Sequence, residues 1–245
     1  MRAPTTVAGA PIRRGPPVVT FVLIAVNVLM YVITAYQSQS VMQNTRTPLF
    51  VQLDLLPAFV AAHGEWWRLL TSGFLHFGLL HIVLNMVSLY IIGREVEVVL
   101  GRIRFTALYF TALFGGGVAA YLLSPVGTQV AGASGAVFGL MGALLIAVVR
   151  LKLDPKSVLF VIVLNLVISF QVTGISWQGH VGGLIIGALT MAAMVYAPAK
   201  RRTAIQIGTI IAILAVLVLI CVLRTSALSE VTICNQAQWL CTTSS

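Results

Sequence analysis

The sequence predicts an all-α polytopic membrane protein, and three observations together predict it. Of 245 residues, 59% are hydrophobic and only 9% are charged, whereas a soluble domain carries about 25% charged residues. The deficit runs along the whole length, with a mean hydropathy of +1.00, so most of the chain belongs in lipid, as a single domain. The apolar residues gather into seven stretches, each near the roughly 20 residues a helix needs to cross a bilayer. Between those stretches the basic residues stand in small groups on one side of the membrane, the asymmetry that sets helix orientation.

A polar, proline-containing tail, residues 1–16, precedes the first span, Pro17 to Tyr36. No small-residue cleavage site follows its apolar core, so it reads as an anchored helix and not as a removed signal peptide. The second span runs from about Phe74 to Ile92 and the third from Phe105 to Leu123. The fourth covers Ala133 to Leu151, the fifth Ser157 to Val172 and the sixth Gly179 to Pro198. The seventh, Thr203 to Leu223, leads into a polar tail, residues 225–245.

The net charge of +9 does not indicate a nucleic-acid partner, which needs its basic residues on one soluble face. Here they form four groups beside apolar runs: Arg2, Arg13 and Arg14; Arg94, Arg102 and Arg104; Arg150, Lys152 and Lys156; Lys200, Arg201 and Arg202. With seven spans these groups share one side, and the other side carries only Arg46, Arg68 and Arg224. The expected topology is therefore an N-terminus in the cytoplasm and a C-terminal tail outside. The three cysteines form no metal or redox motif: Cys221 reads as a packing residue, and Cys234 and Cys241 pair only if the tail faces an oxidising compartment.

In this topology spans two, four and six begin in the same leaflet, and the polar residues of the apolar region concentrate at those starts. Span two opens with His76, His81 and Asn85, span four with Gly132, Ser134 and Gly135, and span six with Gly179 and His180. Ionisable groups inside a membrane are expensive and point to function. A serine in a membrane helix ordinarily packs and bonds back to a carbonyl. Ser134, however, falls in a first turn, where free N–H groups and the positive helix end stabilise an oxyanion. Gly132 and Gly135 flank it and let other backbones approach.

A lone histidine near a helix end is often an interfacial anchor. His180 is set apart by a small-residue stripe, Gly179, Gly183 and Gly187, which matches Gly135, Gly139 and Ala143 on the serine helix. Such stripes draw helices close and would bring Ser134 within reach of His180, a base suited to neutral pH. No carboxylate is near either in sequence, so a dyad is expected and not a triad. His81 and Asn85, four apart on one face, supply side-chain donors to the oxyanion beside the Ser134 N–H; their plain alternative is bonding to neighbouring helices. His76 falls about a turn and a half earlier and suits bracing of the preceding loop. A zinc site is disfavoured, because no HExxH motif, carboxylate or thiolate accompanies these histidines; no metal and no cofactor is expected.

Taken together, the run from Glu65 through Trp66, Trp67, Arg68, Leu69, Leu70, Thr71, Ser72, Gly73, Phe74 and Leu75 to His76, followed by His81 and Asn85, resembles the rhomboid family signature. Gly132-Ala133-Ser134-Gly135 is similar to its GxSG motif, and His180-Val181-Gly182-Gly183 with Gly187 to its HxxG motif. The likeness extends over roughly residues 65 to 198 and departs where Gly179 stands in place of a common Ala. It implies a rhomboid-like six-helix core, residues 17–198, with a seventh transmembrane helix in 199–224. It further implies an intramembrane serine protease that cuts transmembrane protein substrates near their outer end. Ser134 is then the nucleophile and His180 the base; His81, Asn85 and the Ser134 N–H form the oxyanion hole, and Trp67 with Arg68 steadies the outer loop. The side entrance for substrate is expected at the fifth span and the loop Val172 to Gln178. Short loops and no targeting extension suit a bacterial plasma membrane.

Two other classes make different demands. A rhomboid-like chaperone or dislocation factor usually lacks the serine or the histidine, and both are present. A transporter places polar groups at the bilayer midplane or shows inverted repeats, and neither is evident.

Overall fold

The computed structural model describes residues 5–11, 15–229, 232–235 and 240–243, with side chains as far as residue 228. Helix α1 (Val18–Ser38) leads through the short helices α2 (Pro48–Leu53), α3 (Pro57–His63) and α4 (Arg68–Thr71) into α5 (Gly78–Leu100). Then come α6 (Arg102–Leu123), α7 (Ser134–Arg150), α8 (Lys156–Gln171), α9 (Trp177–Tyr196) and α10 (Arg202–Ser229). Strands β1 (Thr232–Asn235) and β2 (Leu240–Thr243) form an antiparallel hairpin whose backbone register sets Cys234 opposite Cys241. Whether those cysteines bond concerns side chains outside the described residues.

The seven expected spans correspond to the seven long helices, so the protein is an all-α, multi-pass membrane protein. Four of them, α1, α6, α9 and α10, are long and apolar enough to cross a bilayer unaided, and α4 with α5 makes a fifth as one broken span bent by 94°. The break corrects the expected start of the second span: the chain makes a 3₁₀ turn at Ser72–Phe74 and enters α5 only at Gly78, with φ +76°. A Cβ at Gly78 would lie 3.0 Å from the Met42 carbonyl oxygen, so glycine serves both the turn and the close approach. Asn44 fastens this corner, donating to the His76 carbonyl at 3.0 Å and accepting from the Gly78 N–H at 3.1 Å.

Helices α7 and α8 have only 17 and 16 residues. For α7 the reason is its position. Every residue from Gly135 to Ala143 is buried, the mark of a helix surrounded by others, so it need not meet lipid along its length. Close approach to α9 is set by glycines: a Cβ at Gly183 or Gly187 would collide with the carbonyl of Gly135 or Gly139, and one at Gly142 would lie 2.5 Å from the Leu184 carbonyl. A third set stands on α6. There a Cβ at Gly115 would strike Ile186, one at Gly116 would lie 2.8 Å from the Gly179 carbonyl, and one at Gly117 would collide with the Leu69 carbonyl.

Helix α10 runs five residues past the expected end of the seventh helix at residue 224 and is tied to the core at both ends. Gln206 donates to the Ala8 and Met194 carbonyls at 3.2 and 2.9 Å and accepts from Arg104 at 2.9 Å. Toward the other end, Tyr121 and Thr225 hydroxyls lie 2.9 Å apart.

Candidate active site

The first turns of α5, α7 and α9 meet at one end of the bundle around a cavity of about 720 Å³, lined among others by His81, Asn85, Ser134, Asn165, Ser169 and His180. Ser134 is the first residue of α7, preceded by Ala133 and by Gly132 at φ +133°. Its amide therefore lies among the N–H groups that a helix start leaves without an intrahelical partner. Gly132 leaves room for an imidazole. A Cβ there would stand 2.8 and 2.9 Å from Cε1 and Nε2 of His81 and 3.5 Å from the Ser134 hydroxyl.

His180, in the first turn of α9, is 7% exposed. Its Nε2 lies 2.8 Å from Ser134 Oγ. On one face its ring stacks on Phe138, with centroids 4.1 Å apart and planes 14° from parallel. Its Nδ1 lies 2.7 Å from the hydroxyl of Ser169, a buried residue of α8. The glycine contacts between α7 and α9 explain the short reach between Ser134 and His180, since larger residues at those positions would hold the two backbones apart.

On α5, the Phe77 N–H donates to His81 Nδ1 at 3.1 Å. A neutral imidazole carries one N–H, so an acceptor Nδ1 leaves the proton on Nε2, which lies beside Gly132 at the cavity that Ser134 also lines. Asn85 donates one amide hydrogen to the His81 carbonyl at 2.9 Å, and the second remains for the cavity, which Asn85 also lines. His76 is fully buried, with its ring edge-on to His81 at 5.1 Å. Neither of its ring nitrogens has a hydrogen-bond partner among the described residues. Its tie to the preceding loop runs through the backbone carbonyl, which accepts from Asn44.

The loop between α1 and α5 is organised by Arg68, only 2% exposed. Its guanidinium donates to Asp54 Oδ1 at 2.9 Å, to Glu65 at 2.5 Å, and to the carbonyls of Val51 and Asp54 at 2.7 and 2.8 Å. Trp67 is half exposed and reaches the Gln52 carbonyl at 3.5 Å. Asp54 also accepts from Gln129 at 2.7 Å, and Leu55 and Val130 exchange backbone hydrogen bonds of 2.9 and 2.8 Å. This clamp fixes the segment that delivers Gly132 to the serine. Burial pushes the Asp54 carboxyl up to about 7, against the opposing pull of Arg68 and Gln129.

The candidate site residues expected from the sequence are thus located: Ser134, His180, His81 and Asn85 meet at the cavity, Gly132 makes room for the His81 ring, Gly135, Gly183 and Gly187 sit at close backbone approaches, and Trp67, Arg68 and His76 belong to the loop and its junction. No group of three or more His, Cys, Asp or Glu side chains able to hold a metal ion occurs among the described residues. Two contacts of His180 were missed. Phe138 falls four residues after Ser134, hence on the same helical face, but an aromatic in an apolar run reads as core. Ser169 falls four after Asn165, and a repeated polar residue at that spacing was the available signal.

Residues 63–197 match the family model of the rhomboid domain. The chain is 35% identical over 187 residues to the rhomboid protease GluP of Bacillus subtilis (strain 168), covering 74% of this chain but only 36% of that protein. It is 32% identical over 178 residues to YdcA of the same strain, covering 71% of this chain and 86% of YdcA. RHOMBOID-like protein 5 of Arabidopsis thaliana is 35% identical over 148 residues, or 57% of this chain and 48% of the plant protein. The chain thus spans about a third of GluP and half of the plant relative, and most of YdcA. The stretch matched by the family model begins in the Arg68 loop and ends with α9, so it takes in every helix that lines the cavity, and the chain belongs to the rhomboid family.

Proposed function

We propose that this chain is an intramembrane serine endopeptidase that cuts transmembrane segments of other proteins near their outer end, with Ser134 as nucleophile and His180 as general base. One observation carries the reading: Ser134 Oγ lies 2.8 Å from His180 Nε2 at a cavity that both residues line. Names of relatives such as GluP, a rhomboid protease, add support. His180 takes the hydroxyl proton as Ser134 Oγ attacks the peptide carbonyl. The new oxyanion receives the Ser134 N–H, the His81 Nε2–H and the free Asn85 amide hydrogen, donors held in position before reaction. His180 then returns its proton to the leaving amine, and a water, activated by the same ring, hydrolyses the acyl-enzyme.

A helical substrate hides its carbonyls in its own hydrogen bonds, so segments with Gly, Pro or small residues at the cut are favoured. The reading divides the chain into a cytoplasmic tail 1–16, a catalytic core 17–198, a seventh helix from 199 that ends with α10 at Ser229 and an extracytoplasmic tail beyond it, in a plasma membrane. Substrate enters sideways between α5 and α8, both of which line the cavity. The test is cleavage of a labelled single-span substrate by purified protein and Ser134→Ala in parallel. Cleavage near the outer boundary by the first alone supports the reading. Cleavage by both exposes a different nucleophile, and binding without cleavage by either points to a chaperone-like role.

A further inference from the structure

Behind the pair formed by Ser134 and His180 stands a hydroxyl that the proposed chemistry does not use. Ser169 Oγ lies 2.6 Å from the Asn165 carbonyl oxygen, one turn earlier on α8, and 2.7 Å from His180 Nδ1. A carbonyl has only lone pairs to offer, so the single hydroxyl proton of Ser169 occupies that bond. Toward His180 the hydroxyl then presents a lone pair and calls for an N–H at Nδ1. With the one proton of a neutral imidazole on Nδ1, Nε2 is left bare 2.8 Å from Ser134 Oγ. The opposite tautomer turns an N–H toward Ser134 and leaves the serine with no base.

The need for this contact lies with the histidine. A serine in an apolar helix is already satisfied by bonding to the carbonyl four residues back, whereas the Nδ1–H of a ring only 7% exposed would be unpaired without it, at a substantial penalty.

We propose that Ser169 is a positioning residue for His180, so that the pair is extended to a relay of Ser134, His180 and Ser169 ending on the Asn165 carbonyl. Ser169 selects the Nδ1–H tautomer and, with Phe138 on the ring face, fixes the imidazole plane. When Nε2 accepts the Ser134 proton, Nδ1 keeps its own, and the bond to Ser169 becomes charge-assisted and stronger. Ser169 itself neither gains nor loses a proton. The catalytic part of this inference rests on the protease reading; the tautomer assignment does not.

The test compares the full-length protein with Ser169→Ala and Ser169→Thr. Histidine ¹⁵N spectra, with the His180 signal identified by its loss in His180→Asn, read which ring nitrogen carries the proton. The expected result is Nδ1–H in the unaltered protein, loss of that preference in the alanine variant and its return with threonine. In parallel, kcat for cleavage and the rate at which a fluorophosphonate labels Ser134 fall about 10- to 100-fold in Ser169→Ala, the range of a hydrogen bond to a charged group. KM stays near its original value, the thermal midpoint falls by a few degrees as a buried ring nitrogen loses its partner, and threonine recovers both the rate and the midpoint. An Nε2–H tautomer in the unaltered protein, or an alanine variant with unchanged tautomer and kcat, overturns the proposal. A Ser169-dependent tautomer in a protein that cleaves nothing upholds the positioning role and removes the protease reading instead.

Discussion

Replacing Gly116 by alanine probes how the backbone sets the geometry of the site. Gly116, on α6, lines the cavity but has no side chain to take part in the chemistry, and it wedges between the residues next to the reacting pair. An added Cβ would lie 2.8 Å from the Gly179 carbonyl oxygen and 3.2 Å from Gly135 Cα, where ordinary contact begins at 3.4 Å, a shortfall of about 0.6 Å at the tighter point. Gly179 precedes His180 and Gly135 follows Ser134, and backbone gives way poorly. A shift of that size passed to His180 stretches its 2.8 Å contact with Ser134 to the edge of hydrogen bonding. A misplacement near 1 Å costs about 100-fold in rate, so kcat in Gly116→Ala falls about 10- to 100-fold. Stability responds less: overpacking costs about 1–3 kcal/mol, and the gain in helix propensity over glycine returns up to about 1 kcal/mol. The control is Gly208→Ala on α10, where the new Cβ meets nothing within 4 Å and activity is unchanged. Kinetics of a quenched transmembrane substrate, with thermal unfolding of each variant, make the comparison. Full activity in Gly116→Ala would refute the claim that these backbone contacts hold the pair in register.

Other outcomes follow from the same geometry. His81→Ala removes one oxyanion donor and lowers kcat about 100- to 1,000-fold with little change in KM, read from initial rates. Arg68→Met removes the donor shared by Asp54, Glu65 and the carbonyls of Val51 and Asp54, leaves buried acceptors unpaired and destabilises the protein by about 3–5 kcal/mol, measured by unfolding in mixed micelles; a loss under 1 kcal/mol would show that the loop is held by other contacts. The folded Asp54 carboxyl is raised to about 7 from 3.8, so the folded chain retains a proton there that the unfolded chain has lost. Stability from this group is complete below pH 3.8 and is lost as pH rises toward 7, a slope in the thermal midpoint that Asp54→Asn abolishes. Cysteines at Leu84 and Ile168, which line the cavity from α5 and α8, cross-linked in a background without native cysteines, slow cleavage of membrane substrates but leave fluorophosphonate labelling of Ser134 intact. Equal loss of both rates would indicate a distorted site and not a blocked entrance.

The long helices are legible because nothing but lipid explains apolar runs of that length, and the candidate site is legible as a cluster because its polar residues stand where such runs begin. What hydropathy and spacing do not reveal is short or turns several ways at once. Helices α2, α3 and α4 have 6, 7 and 4 residues, too few for a periodicity, and their arrangement depends on Arg68 bonding to groups 14 to 17 residues away. Gly115, Gly116 and Gly117 form no single stripe, since each faces a different neighbour: Ile186 on α9, the junction of α7 and α9, and the Leu69 carbonyl on α4. The start of α5 moved from Phe74 to Gly78 because hydropathy does not register a left-handed glycine inside an apolar run. Ser169 is inconspicuous in the sequence for a related reason. Its bond to the carbonyl of its own helix makes it look self-sufficient, and its partner His180 lies across a turn, on the next helix.

Helix α8 therefore faces two demands that pull in opposite directions. Only Ile162 and Ser169 are buried on it, so little packing resists its moving outward from α9, as a side entrance for a transmembrane segment requires. Yet one of those two buried residues is the partner of His180 Nδ1. Under the proposed side entrance, outward motion of α8 would withdraw the Ser169 hydroxyl from His180 Nδ1 and release the ring from its productive tautomer, while Ser134, His81 and Asn85 are carried on α5 and α7. Binding and chemistry then require different placements of α8. On the proposed protease reading, a segment enters while the helix is displaced and is cut only after the helix settles back against His180. Substrates with bulky side chains at that contact hold α8 away, so they bind nearly as well as small ones but turn over more slowly. The preference for small residues near the cut then arises from the helix that must close over them as well as from the ease of unwinding the substrate.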